Sequence, residues 1–398
     1  MATQSPFTGT DDAPDALSLE RLSLTNFRNY DKLVLAVSPR PVVLTGANGA
    51  GKTNILEAVS LLMPGSGLRR ATYKDMARAN AGPNWAVAAR VASRMGRVDI
   101  GTGLQAQSSS SGTYERAGRT VRIDGENKGA SGILAHYVDM VWITPAMDGV
   151  FTGATSDRRR LLDRLVVCFD PAFRVLSGRF ERAMQSRNRL LTDGVHDHAR
   201  LEGFELVMAE TGAAIAAARV EAVGALKGVI EDRKAREPNS AFPWSYTVLE
   251  GALEQDIMRM PAVDVEDAYM RRLAQSRDQD RAAGRTLEGP HRTDLAITHG
   301  PKNMPARLCS TGEQKVLLAG LILAQAELIA KRHNGCGPII LLDEVAAHLD
   351  SDRRLALFNE ILRLRAQAWM TGTDIEAFAP LRGAATIFSL DNGTISQA

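Results

Sequence analysis

Three short stretches carry residue types at spacings suited to phosphate chemistry. The first, Gly46-Ala47-Asn48-Gly49-Ala50-Gly51-Lys52-Thr53, fits GxxxxGK[ST]. Its glycines let the backbone curl so that N–H groups face phosphate oxygens, and the helix that follows offers its positive end to the same anion. Lys52 is placed to neutralise the β- and γ-phosphates of ATP, and Thr53 to give its hydroxyl to Mg²⁺. The second stretch, Ile339-Ile340-Leu341-Leu342-Asp343-Glu344, is an apolar strand ending in two acids. Such acids need a cation or hydrogen bonds to offset their desolvation. Asp343 is the candidate Mg²⁺ ligand, and Glu344 the group that orients and polarises an attacking water. A chance glycine turn and a strand ending in surface acids are the bland alternatives, and each is weakened by the presence of the other stretch.

The third stretch, Ser310-Thr311-Gly312-Glu313-Gln314-Lys315, precedes a long apolar helix. Ser310 and Gly312 either simply cap that helix or form, with its N-terminus, a second phosphate site. One triphosphate is already served by the first loop. A second anion site on the same chain therefore suggests two copies meeting with ATP between them, with Ala347-His348-Leu349-Asp350 at the junction.

These residues require particular elements. Strands are expected at Leu19–Leu24, Leu33–Val37 and Pro41–Thr45, and the phosphate loop then leads into a helix over Lys52–Met63. Strands follow over 84–103, 119–124 and Val138–Ile143, with Gln107–Gly112 as a flexible loop. The pattern turns helical from Ser156 to Arg236, divided at Gly194, with Pro171 at a helix start. A short strand at Ser245–Leu249 precedes one helix over Gln255–Ala283. The α/β character then returns with strands at Leu295–Thr298, Ile339–Leu342, Trp369–Thr371 and Ala385–Leu390. Helices are expected at Gly312–Lys331 and Ser351–Arg365, the latter with Ser351 near its N-cap. Lys52 and Asp343 stand 291 positions apart, so a large insertion separates the two halves of one site.

The 398 residues, 44% apolar and 24% charged, are those of an ordinary globular chain, long enough for two domains without disulfide staples. The net charge of +2 says nothing about nucleic acid. Residues 151–192, however, hold nine arginines against four acids, either a DNA-phosphate surface or a solvated, internally paired helical face. Arg69 and Arg70 carry the same two readings. Three cysteines without metal-like spacing suit a reducing compartment, no apolar run is long enough for a membrane span, and the first residues lack a secretion signal. Together these point to the cytoplasm. His196 and His198 lack further metal ligands nearby, and Cys309 is best read as packing at a helix start.

The order phosphate loop, long insertion, STGEQK, LLDE, AHLD resembles that of the ABC-type ATPases of chromosome maintenance, and within them the RecF family. Leu24–Tyr30 (LTNFRNY), Gly46–Ala58, Arg158–Asp163 (RRRLLD) and Glu288–Leu295 (EGPHRTDL) carry the narrower likeness, which spans about 17–395. It implies an α/β fold: an ABC-type P-loop ATPase head (lobe I) from 17–150 and 285–398, and an inserted, mostly helical arm domain (lobe II) at 151–284; residues 1–16, outside the likeness, read from their composition as a disordered tail. It further implies weak ATP hydrolysis with Mg²⁺, ATP-dependent homodimerisation, DNA binding, and action with RecR and RecO in loading recombinase at single-strand gaps, in support of the SOS response. Gly46, Ala47, Asn48, Gly49, Ala50, Gly51, Lys52, Thr53, Asp343 and Glu344 would serve the bound nucleotide. Ser310 and Gly312 would touch the γ-phosphate of the partner copy's ATP, and Arg28 resembles a nucleotide-contacting arginine. Three departures stand out. Many relatives have Asp where Glu344 stands, no glutamine lies within Val138–Phe151, and no histidine follows Trp369–Thr371, where Thr371 or Thr373 takes its place. A transporter motor subunit, an SMC-like head and a small-molecule kinase are the rival readings.

Overall fold

The computed structural model describes residues 17–105, 118–194, 197–391 and 394–397. The expected tail at 1–16 and the QSSSSG loop lie outside them. Two compact units divide the chain. One gathers the described residues up to Trp142 with Ala330–Ala347 and those from Leu357 onward, and the other holds Ile143–Ile329 and His348–Ala356.

The first unit opens with β1 (Ser18–Phe27), β2 (Tyr30–Ala36), β3 (Val42–Gly46) and α1 (Lys52–Ser60). Strands β4 (Trp85–Ser93), β5 (Gly96–Leu104), β6 (Arg119–Ile123), β7 (Glu126–Gly129) and β8 (Met140–Ile143) follow. The second unit carries α2 (Thr155–Phe169), α3 (Phe173–Thr192), α4 (His198–Arg236), β9 (Ser245–Glu250), α5 (Ala252–Ile257), α6 (Ala262–Gln275) and α7 (Arg277–Ala283). It continues through β10 (Asp294–His299) and β11 (Met304–Pro305) into α8 (Thr311–Arg332). The chain closes with β12 (Ile339–Leu342), α9 (Ser351–Arg363), β13 (Ala368–Gly372), β14 (Thr386–Asp391) and β15 (Thr394–Gln397).

Two six-stranded sheets build the first unit, in the orders β2-β1-β4-β5-β6-β7 and β15-β14-β3-β13-β12-β8. The first is an antiparallel meander whose strands alternate buried and exposed residues, as in β4 (Trp85, Val87 and Ala89 in; Ala86, Ala88 and Arg90 out). In the second, β14, β3, β13 and β12 run parallel. Strands buried on both faces must be apolar throughout, and VVLT, IILL and AWMT are fully buried. α1 packs Ile55, Leu56 and Val59 into the core shared with Leu22 and Leu24 of β1, Leu44, Leu341 and Trp369.

The second unit is mostly helical, with a small sheet of order β11-β10-β9. Pairing of β9 with β10 over Ser245–Glu250 and Asp294–His299 ties residues beyond 284 to this unit. Its extent therefore exceeds the 151–284 boundary drawn from sequence. Its centre is ionic: Arg187, with no exposed side-chain surface, meets Glu205 at 2.9 Å and Asp280 at 2.7 Å, and Arg277 meets Glu205 at 2.5 Å.

Several expectations are corrected. The single helix over Gln255–Ala283 is three helices, α5 to α7. Pro261 lacks an N–H and can only begin α6, and the chain bends again at Ser276. α1 stops at Ser60, tightens through Leu61 and Leu62, and meets Pro64. α9 begins at Ser351, as expected, with Asp350 before it as the cap accepting the Arg353 N–H at 2.9 Å, and ends at Arg363 rather than Arg365. The polar strands β7 and β15 have no apolar pattern to announce them.

Candidate functional site

Strand register solves the problem of the 291-residue gap. Leu342 stands opposite Met370, and Met370 opposite Val43, so β12, β13 and β3 end side by side at their C-terminal edges. With strands about 4.8 Å apart, the acidic pair after β12 emerges about 10 Å from the loop after β3. Open parallel sheets place their ligands at this edge.

The loop is shaped by close approach. A β-carbon on Gly46, at φ 143°, would lie 2.2 Å from the Leu390 carbonyl oxygen, and one on Gly51, at φ 104°, 2.5 Å from Asn29 Nδ2 and Tyr30 Oη. Only glycine tolerates both the conformation and the crowding. Asn29 lies in the β1–β2 turn and Tyr30 begins β2, so the hairpin presses against the start of α1. Lys52 is buried and donates from Nζ to the Gly46 and Ala47 carbonyls at 2.7 and 2.8 Å. Burial pushes its ammonium below the ordinary value, while Glu344 and Asp343 pull it up.

Thr53 Oγ1 donates to Asp343 Oδ1 at 2.8 Å. The same carboxylate oxygen accepts from Thr371 Oγ1 at 2.9 Å, and Thr371 Oγ1 accepts the Glu344 N–H at 2.8 Å. Thr371 has no exposed surface. Glu344 holds φ 57°, a left-handed conformation that is costly for a side-chain-bearing residue. One buried hydroxyl therefore fixes both acids. In the sequence Thr371 marks only where a histidine is absent; its grip on Asp343 and Glu344 follows from the register of β13. Thr373 is exposed.

Arg28, at φ 54°, reaches α1 through Glu57. Its guanidinium grips Glu57 at 2.8 and 2.7 Å and donates to the Asp75 carbonyl at 2.7 Å. Glu57 is fully buried. An acid among Ile55, Leu56, Ala58 and Val59 was a signal that some cation must come to it. Arg69 donates to Asn54 Oδ1 at 2.9 Å and stands 3.7 Å from Glu57, which makes it part of this same cluster.

The residues that fit a nucleotide and its metal are thus assembled in one unit. Glycines leave the loop backbone uncovered, a buried lysine lies along it, and a hydroxyl touches a carboxylate where a hard cation takes oxygen ligands.

Ser310 and Gly312 belong to the second unit and are exposed. Ser310 and Glu313 make a capping box: the Ser310 N–H donates to Glu313 Oε2 at 2.9 Å, and the Glu313 N–H to Ser310 Oγ at 3.4 Å. Lys302 bonded to Glu313, together with the Ser310 N–H, holds that carboxyl down at about 2. Cys309 is buried beside this turn, its thiol pushed up by burial, as packing demands. The side chains of Ala347 and His348 and the residue His196 lie outside the described ones. Among the described residues no three His, Cys, Asp or Glu side chains gather as metal ligands, and no helix is long and apolar enough to cross a membrane.

Four arginines of the 151–192 run form ion pairs, only one of them with an acid inside the run. Arg158, Arg160, Arg179 and Arg187 meet Asp294, Asp157, Glu210 and Glu205 respectively.

A family model described as "RecF/RecN/SMC N terminal domain" matches residues 18–396. The chain is 50% identical over 383 residues to the DNA replication and repair protein RecF of Mesorhizobium japonicum, covering 96% of this chain and 98% of that one. It is 51% identical to RecF of Brucella suis, covering 96% and 97%. A solved structure described as the recombination mediator protein RecF-ATPrS in the RecFOR pathway superposes with a TM-score of 0.82 at 21% identity, covering 96% of this chain and 98% of that one. An Smc head domain from Pyrococcus furiosus superposes with a TM-score of 0.52 at 18% identity. The fold is that of these ATPase heads, and the chain belongs to the RecF family of DNA replication and repair proteins.

Proposed function

We propose that this protein is an ATP-gated, DNA-binding dimer that hydrolyses ATP slowly. The observation that carries the reading is the contact between Thr53 and Asp343, which joins the phosphate loop to the acidic strand end across 290 residues. The loop N–H groups of Gly46–Thr53 and the start of α1 bind the phosphates, and Lys52 exchanges its carbonyl partners for phosphate oxygens. Thr53 and Asp343 hold Mg²⁺, which supplies charge neutralisation on the phosphates when bound. Glu344 orients the attacking water and takes its proton, in an in-line displacement at the γ-phosphate. Arg28 serves the nucleotide from the flank of α1, with Glu57 fixing its guanidinium.

Gly312 supports the dimer. It sits in the first turn of α8, where a β-carbon would meet nothing within 4 Å. Local packing gives no reason for glycine there, although it costs about 1 kcal/mol relative to alanine in a helix. A close approach by the γ-phosphate held on a second copy supplies one, with Ser310 beside it. ATP then adds contacts across a two-fold interface and hydrolysis removes them, so the switch works by differential binding. In this reading the dimer binds double-stranded DNA at gap junctions in the cytoplasm. It acts there with RecR and RecO, as the RecFOR pathway of its structural relative suggests, in loading recombinase and supporting the SOS response.

The test is duplex-DNA binding by wild type, Lys52→Arg and Ser310→Arg, each with ATP and with ADP. Wild type should bind tightly with ATP alone, and both variants should lose that dependence. Identical, nucleotide-independent binding by all three would refute the gating.

A further inference from the structure

The RRRLLD and GPHRTDL stretches, which take no part in the nucleotide chemistry, are each other's partners in the second unit. Arg158 grips Asp294 at 2.8 and 2.7 Å. Arg159 donates to the Thr293 carbonyl at 2.9 Å. Asp163 accepts from Arg219 at 3.0 and 2.8 Å, and Arg219 donates to the Pro290 carbonyl at 2.7 Å. Thr293 Oγ1 donates to Glu254 at 2.8 Å. The first turns of α2 thus clamp the segment 290–294.

The acids of this clamp are already committed. Asp294 is taken by Arg158, and Asp163 and Glu254 are both taken by Arg219, the latter at 3.1 Å. Arg159, half-buried, has given one of its five N–H groups to a carbonyl and has no ion pair among the described residues. Arg292, next to Thr293, is exposed, and among the described residues its side chain makes no hydrogen bond or ion pair, only its N–H bonding the Gly289 carbonyl at 2.9 Å. Burial, then the charges of Arg219 and Arg292, push Arg159 below its ordinary value despite Asp163 and Asp294 nearby. An incoming anion would relieve this crowding. Planar guanidiniums match the oxygens of a phosphate better than an ammonium does.

We propose that Arg159 and Arg292 together hold one backbone phosphate of duplex DNA. Thr293 fixes the orientation of Arg159, and Arg292 supplies the exposed half of the grip. A contact to phosphate alone positions the duplex without reading its sequence. This inference deepens the reading above and rests on it. An acidic protein segment is the other polyanion of suitable chemistry.

The test uses the full chain with ATP and a labelled duplex of random sequence, titrated over a salt series. The proteins are wild type, Arg292→Gln, Arg292→Lys and, as a control, Lys32→Gln on exposed β2. Removing one phosphate contact should weaken binding at every salt and lower the log–log salt slope by about one. Arg292→Lys should fall between, the control should match wild type, and DNA-independent ATP hydrolysis should be unchanged throughout. If wild type binds DNA and Arg292→Gln shows the same affinity and slope, the phosphate pair is refuted while ATP-gated DNA binding stands. If wild type does not bind duplex DNA, both fall together.

Discussion

Replacing Thr371 with valine removes one buried hydroxyl and leaves the side-chain shape nearly unchanged. That hydroxyl donates to Asp343 at 2.9 Å and accepts from the Glu344 N–H at 2.8 Å. A hydrogen bond to a charged group is worth about 1.5–3 kcal/mol, and a buried N–H left unpaired costs about 1–3 kcal/mol. Part of this falls on folding. The rest falls on the placement of Glu344, whose left-handed backbone has lost its tether. If about 3 kcal/mol is felt in the transition state, turnover drops about a hundredfold. The assay is phosphate release under saturating ATP, with nucleotide affinity measured separately. Thr371→Val should lose kcat with a KM within a few-fold of wild type, and Thr371→Ser, which keeps the hydroxyl, should retain most of the rate. A valine variant that turns over at the wild-type rate would show that this hydroxyl does not position the acids.

Gly51→Ala places a β-carbon 2.5 Å from Asn29 and Tyr30, so calorimetry should find ATP binding lost while circular dichroism finds the fold retained. Arg187→Ala leaves Glu205 and Asp280 buried beside the gap, with Arg277 the remaining partner of Glu205, and should cost about 3–5 kcal/mol in urea unfolding. A loss below about 1 kcal/mol would mean that the network is solvated or readily replaced. Glu313, held at about 2 by Lys302 and Ser310, contributes stability above its unfolded value near 4.5 and loses it as pH falls toward 2. Wild type should therefore melt above Glu313→Gln at neutral pH, with the difference closing as the pH drops through that window.

That the glycine-rich loop and the acidic strand end belong together was largely legible in the sequence, because such a loop leaves so few choices. The loop backbone needs glycine at Gly46 and Gly51, and strands buried on both faces need runs such as VVLT and IILL. What could not be read was how distant groups share a partner. Thr371 is one threonine among several until β13 is set between β3 and β12. The arginine run invited a reading as a solvent-facing nucleic-acid surface, because its main counter-charges lie far away in sequence: Arg158 pairs with Asp294 and Arg187 with Asp280. The helix over Gln255–Ala283 was drawn through Pro261 because the flanking residues are good helix formers, and composition alone does not say that a proline begins a helix there. β7 and β15 escaped because exposed edge strands need no apolar alternation.

The central claim is that ATP on one copy is completed by the Ser310–Gly312 turn of another. Sedimentation equilibrium of the Glu344→Gln variant, which should bind ATP without hydrolysing it, tests it most directly. With Mg²⁺ and ATP the mass should double relative to ADP, and adding Ser310→Arg should return it to that of one chain. Equal mass with ATP and ADP, at protein concentrations where both nucleotides are bound, would contradict the account.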